Sequence, residues 1–211
     1  TLARDGEEIL LLEGNVSHSE LYRPVGREPP DALALYESLV RFPGALLAHA
    51  MDRFDIAGKR ILELGCGIGL ASLVLQRRGA TVVATDVHPL TEGFLAYNAA
   101  LNALPAVHYR QVRWDVPLPT LGRFDAIIAS DVLYERGHAE LIAALVERHA
   151  LPDAEVLVTD PGRGNSTPFS RLVGDQGFAM EEERCPMNDA EPPPHRGRLL
   201  SPSSALVGPH G

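Results

Sequence analysis

Nine residues, Ile61-Leu62-Glu63-Leu64-Gly65-Cys66-Gly67-Ile68-Gly69, place the tightest limit on what this chain can fold into. A short apolar run ends in three glycines at alternate positions, and a second apolar stretch at helical spacing follows. Glycine adopts positive φ at little cost and lets another group approach the backbone closely. The pattern therefore predicts a buried strand over Arg60–Leu64, a sharp turn over Gly65–Gly69 and a helix over Leu70–Arg78.

The alternation continues downstream. Ala80–Thr85, Val107–Val112, Phe124–Ser130 and Ala154–Thr159 read as strands, with helices over Leu90–Asn102 and Gly137–His149. Short continuous apolar runs separated by helices imply a mostly parallel sheet covered on both faces, which is a doubly wound α/β fold with right-handed crossovers. Ser166–Val173 predicts another helix, and Phe178–Arg184 and Arg198–Val207 two last strands. Residues 1–30 read as a partly irregular N-terminal extension whose Asp5, Glu7 and Glu8 form a solvated face. Residues 31–211 read as one domain, opening on a helix capped by Asp31 and a second helix over about 44–54.

Composition narrows the class. The net charge is −9 and the basic residues are scattered, so no stripe exists to neutralise phosphates; nucleic acid is not the expected partner. No run approaches the roughly 18 apolar residues of a membrane helix, and Thr1–Glu7 lacks an apolar signal core. The two cysteines, Cys66 and Cys185, make no disulfide framework, and His18, His88, His108, His138 and His149 show no metal-ligand spacing. A cytoplasmic setting with no metal is the expectation.

In open parallel sheets, ligands bind beyond the carboxyl ends of the strands, where strand order reverses. Gly65, Gly67 and Gly69 fall at that edge, and so does Asp86, which ends Val82-Val83-Ala84-Thr85-Asp86. A carboxylate there can accept both hydroxyls of a ribose. A dinucleotide fingerprint needs G-x-G-x-x-G, with the pyrophosphate on the helix N-terminus. Here the spacing is G-x-G-x-G with Glu63 ahead of it, an added negative charge that suits a ligand carrying an ammonium and a sulfonium. The turn points to S-adenosylmethionine.

On these motifs the chain, over about residues 40–185, resembles the class I, seven-stranded S-adenosylmethionine-dependent methyltransferases. The resemblance implies a Rossmann-like sheet of order 3-2-1-4-5-7-6 with the last strand antiparallel. It implies that Gly65–Gly69 holds the methionine part of the cofactor, Asp86 the ribose, and Trp114 the surroundings of the adenine. Ser130-Asp131-Val132-Leu133-Tyr134 resembles the D-x-x-Y signature of the seven-strand protein-lysine methyltransferases. Asp160-Pro161-Gly162-Arg163, Tyr97-Asn98 and Leu101-Asn102 resemble the enzymes that methylate the electron-transfer flavoprotein β subunit. Phe42-Pro43-Gly44-Ala45 stands where that group commonly has Trp-Pro.

The resemblance implies a protein substrate bearing a lysine, with the electron-transfer flavoprotein β subunit or a ribosomal protein as the type. Asp131 and Tyr134 are the expected catalytic pair, Asp131 also touching the cofactor. Phe42 and Glu63 are expected at the cofactor, and Tyr134, Asp160 and Arg163 at the substrate. Two other readings stand beside this one: a methyltransferase acting on a small molecule, and a cofactor-binding module without catalysis.

Overall fold

The computed structural model describes residues 2–4, 7–9, 44–162, 164–178, 180–186 and 196–202. In chain order these form strands β1 (Leu2–Arg4) and β2 (Glu7–Ile9), helix α1 (residues 44–53), β3 (Arg60–Leu64), α2 (Leu70–Arg77) and β4 (Thr81–Asp86). There follow α3 (Thr91–Leu101), β5 (His108–Gln111), a 3-10 turn (Pro119–Leu121), β6 (Phe124–Ser130), α4 (His138–His149), β7 (Ala150–Asp160), α5 (Ser166–Asp175), β8 (Met180–Pro186) and β9 (Arg196–Pro202).

Seven strands form one sheet in the order β5-β4-β3-β6-β7-β9-β8. Counted from β3, that is 3-2-1-4-5-7-6, the order the resemblance implies. The central pairs are parallel, and β9 runs antiparallel to both β7 and β8. The chain builds outward from β3 through β4 to β5, then returns to start β6 on the other side of β3. Strand order therefore reverses between β3 and β6.

Successive side chains of a strand point to opposite faces, and here both faces are dry. Along β6, Phe124, Ile127 and Ala129 join one core with Ile142 and Val146 of α4 and Phe169 and Val173 of α5. Ala126 and Ile128 join the other, with Leu47 and Met51 of α1, Leu73 of α2 and Leu95 of α3. Arg78 ties α1 to α2 by donating from its guanidinium to the Met51 carbonyl.

The structure departs from the sequence expectation in two places. Leu2–Arg4 and Glu7–Ile9 pair as a small antiparallel hairpin instead of irregular chain. Strand β7 starts at Ala150, four residues early, because Ala150 pairs with Phe124 before a bulge shifts the register to Ala126–Glu155. The expected boundary at residue 30, the helix capped by Asp31, and the end of the last expected strand lie outside the described residues.

Gly69 shows why one of the three glycines is required by packing. Its φ is +85°, and a Cβ there would stand 2.2 Å from Cδ1 of Leu95, a side chain buried in the core beneath α3. Gly69→Ala combines left-handed strain with overpacking, so it should destabilise the protein by about 2–4 kcal/mol in urea unfolding. A loss below measurement error would contradict this packing account.

Candidate active site

The turn after β3 is held from every side. The Cys66 amide donates to the Thr85 carbonyl at 2.9 Å, the Gly69 amide to the Cys66 carbonyl at 2.8 Å, and the Gly67 amide to Oδ2 of Asp86 at 3.0 Å. Asn98 of α3, fully buried, donates from Nδ2 to the Ile68 carbonyl at 3.1 Å. Gly65, Gly67 and Gly69 all have positive φ, as the turn demands.

Glu63 lies beneath this turn. Its carboxylate accepts from the hydroxyl and amide of Ser72, in the first turn of α2. The helix begins at Gly69, which has no side chain to receive those first amides. Glu63 does so from inside the neighbouring strand, its carboxyl lying at the positive end of the helix. Burial pushes its carboxyl up to about 7, partly offset by the Ser72 hydrogen bonds and reinforced by Asp86. Cys66, also buried, has its thiol pushed up by desolvation and then by Glu63 and Asp86, which keeps it protonated and unreactive.

Asp86 ends β4 and bridges two loops. Oδ2 accepts from Gly67 and Oδ1 accepts from the His88 amide at 2.8 Å. Each carboxylate oxygen has a second lone pair, so the group can still accept ribose hydroxyls. Above Gly67 the backbone is open: a Cβ placed there would meet nothing within 4 Å. Gly65 is the opposite case, since a Cβ there would stand 3.0 Å from Val132 Cγ1 and 3.3 Å from Trp114 Cζ2. The indole ring and Val132 thus close over Gly65 at the reversal point, and Trp114 Nε1 is buried with no hydrogen-bond partner among the described residues. Its neighbour Asp115 faces solvent, paired with Arg113 at 2.7 Å.

The chain leaves β6 through Asp131, whose φ is +51°. That conformation is costly for a residue with a Cβ, and its neighbours hold it in place. The Asp131 amide donates to the Thr159 carbonyl at 2.9 Å, Asn165 Nδ2 donates to the Leu133 carbonyl at 2.7 Å, and Val132 and Leu133 are buried. Asp131 thereby stands half-buried at the carboxyl edge of the sheet, with Tyr134 exposed three residues on.

Asp160 follows Thr159 at the end of β7, directly beside Asp131. Its Oδ2 accepts from the Gly162 amide at 2.8 Å, and the side chain is buried. It builds the Asp160–Gly162 turn rather than presenting a carboxylate at the surface. Phe42 and Arg163 lie outside the described residues. The structure therefore gathers Gly65, Gly67, Gly69, Asp86, Trp114, Asp131 and Tyr134 along one edge, with Glu63 underneath and Asp160 alongside.

Sequence reasoning missed Ser72, Asn165 and His138. His138, the first residue of α4, stands edge-on to both Trp114 and Tyr134. The visible signal for it was only an aromatic residue shortly after D-x-x-Y.

A lysine methyltransferase family model matches residues 39–169, and the chain belongs to that family. It is 32% identical over 116 residues to a protein N-lysine methyltransferase, METTL21A, of Danio rerio, covering 52% of each. It is 30% identical over 129 residues to the electron transfer flavoprotein beta subunit lysine methyltransferase of Xenopus laevis, covering 59% of this chain and 52% of that one. The chain spans about half the length of these curated relatives. The solved magnesium protoporphyrin IX methyltransferase from Synechocystis, with bound SAM, shares the fold at a TM-score of 0.62 and 17% identity, covering 90% of this chain and 93% of that one. No described helix is long and apolar enough to cross a membrane.

The Glu63 geometry generates a pH test on the ligand-free protein. The unfolded chain releases the Glu63 proton near 4.5, whereas the folded protein holds it to about 7. The stabilisation linked to this proton is complete below 4.5 and is lost as pH rises through 7. The stability of Glu63→Gln relative to wild type should improve across that window by up to about 3 kcal/mol. A difference that stays flat with pH in chemical denaturation would contradict the assignment.

Proposed function

We propose that this protein is an S-adenosylmethionine-dependent methyltransferase that methylates the side-chain amine of lysine in a protein substrate. The observation that carries the reading is the pairing of an open glycine turn, braced by Asp86, with a strained Asp131 at the reversal point between β3 and β6. Family membership agrees with it. When bound, S-adenosylmethionine supplies a methyl group made electrophilic by its sulfonium.

In this reading the open backbone at Gly67 and the turn around it receive the methionine end of the cofactor. Asp86 accepts hydroxyls of the ribose with its remaining lone pairs. Trp114 walls the cofactor side, and Glu63 supports the turn from beneath. Asp131 accepts a hydrogen bond from the incoming amine and aims it, within roughly 3 Å of the reacting carbon. Tyr134 borders the acceptor channel.

A free lysine amine has a pKa near 10.4, and it attacks only when neutral. A carboxylate beside it favours the ammonium, so Asp131 serves as an orienting group and a stabiliser of the charge that forms on nitrogen. The proton leaves to solvent before transfer. The family's relatives that methylate proteins at lysine support a protein acceptor, with the electron-transfer flavoprotein β subunit as one type. Two cysteines in 211 residues suit a reducing compartment such as the cytoplasm.

Asp131→Ala should keep cofactor affinity within a few-fold in calorimetric titration with S-adenosylmethionine. Transfer of labelled methyl to lysate protein should fall by about 100-fold, the cost of a misplaced reactant. Wild-type transfer by the variant would remove Asp131 from the mechanism, and no heat of binding to the wild type would remove the cofactor.

A further inference from the structure

The wall of this site is organised by a residue that has no place in the D-x-x-Y signature. The imidazole of His138 stands edge-to-face against Tyr134, with ring centroids 4.5 Å apart at 85°. It stands the same way against Trp114, at 5.1 Å and 86°. Its Nδ1 is 3.0 Å from the Val132 carbonyl, which can only accept, so Nδ1 carries the proton. Its Nε2 lies 3.6 Å from a carboxylate oxygen of Glu135, and the side chain is largely buried.

The imidazole plane is therefore set by contacts on several sides. Through Val132 it grips the second residue of the strained segment that presents Asp131, the same Val132 whose methyl lies over Gly65. Tyr134, by contrast, is 40% exposed on an irregular segment, and the His138 edge bears on its ring. Aromatic pairs prefer this edge-to-face arrangement, so a fixed imidazole fixes the rings on either side of it.

We propose that His138 is a positioning residue of the methyl-transfer site, setting Tyr134 on the acceptor side and Trp114 on the cofactor side from a single imidazole. The inference rests on the methyl-transfer reading above. His138 itself touches neither the methyl group nor the amine. It links the two walls through one ring.

The test uses the full chain, labelled S-adenosylmethionine with whole-cell lysate protein as acceptor, and S-adenosylhomocysteine as the binding probe. Trp114 is the only tryptophan, so intrinsic fluorescence reports its surroundings alone. His138→Ala should bind S-adenosylhomocysteine within about threefold of wild type, incorporate about tenfold less label, and show shifted Trp114 emission. His138→Asn, which can still donate to the Val132 carbonyl but has no ring, should recover part of the transfer while keeping the shifted emission. If His138→Ala does not fold, His138→Asn decides, with a several-fold loss of label expected. Wild-type labelling by the variants, or unchanged emission, overturns the proposal. If the wild-type protein itself transfers no label, the methyl-transfer reading fails and takes this inference with it, an outcome distinct from equal labelling by wild type and variants.

Discussion

Helix α2 begins at a glycine, which has no side chain to receive the first free amides, and the carboxylate that receives one of them comes from inside the adjoining strand. Glu63 reaches under the turn to Ser72. This connection joins the end of β3 to the start of α2 while leaving the outer surface of the turn bare. A side chain at residue 69 would instead run into Leu95 in the core. With the support placed below, Gly67 stays open and its amide is free to turn toward Asp86. Thr85 adds a third tie, donating its hydroxyl to the Glu63 carbonyl at 2.7 Å. The first two strands of the doubly wound sheet thus share one hydrogen-bonded edge.

The second half of the site depends on the reversal of strand order. Because β6 lies next to β3, the segment leaving β6 passes beside Gly65, and Val132 comes down on it. Positive φ at Asp131 is tolerated because β7, Asn165 and His138 each hold one backbone group of the segment. Strain of this kind persists only where the surroundings over-determine it, and here it falls at the residue that follows β6. Asp160 is its neighbour on β7, and there the carboxylate accepts from the Gly162 amide. Two aspartates thus stand at the ends of neighbouring strands on one sheet edge, one on a strained backbone and one in a hydrogen-bonded turn.

The parts legible in the sequence are those whose cause is local. Three alternate glycines require an unusual backbone whatever surrounds them, and continuous apolar runs mark strands buried on both faces, so β3 through β6 and their helices fell where periodicity put them. The strand order followed through resemblance from the glycine turn, Glu63 and Asp86, and the sheet has that order. What stayed hidden depends on partners distant in sequence. Ser72 reads as an ordinary helix residue until Glu63 is beneath it, Asn165 as a cap until its amide reaches Leu133, and His138 as one of several histidines without metal-ligand spacing until two rings close on it. The turn that Asp160 builds was hidden in the same way: its motif suggested substrate contact, and the hydrogen bond from the Gly162 amide to its carboxylate shows only in the fold. The short hairpin of β1 and β2 has too few residues for alternation to register.

The claim on which the functional account turns is the identity of the atom that receives the methyl group. Incubation of the protein with labelled S-adenosylmethionine and lysate, followed by acid hydrolysis of the protein fraction and separation of its amino acids, measures this directly. Label in methylated lysine is expected to rise above that of lysate incubated without the protein. Label confined to the small-molecule fraction, or recovered in a different amino acid, would contradict it.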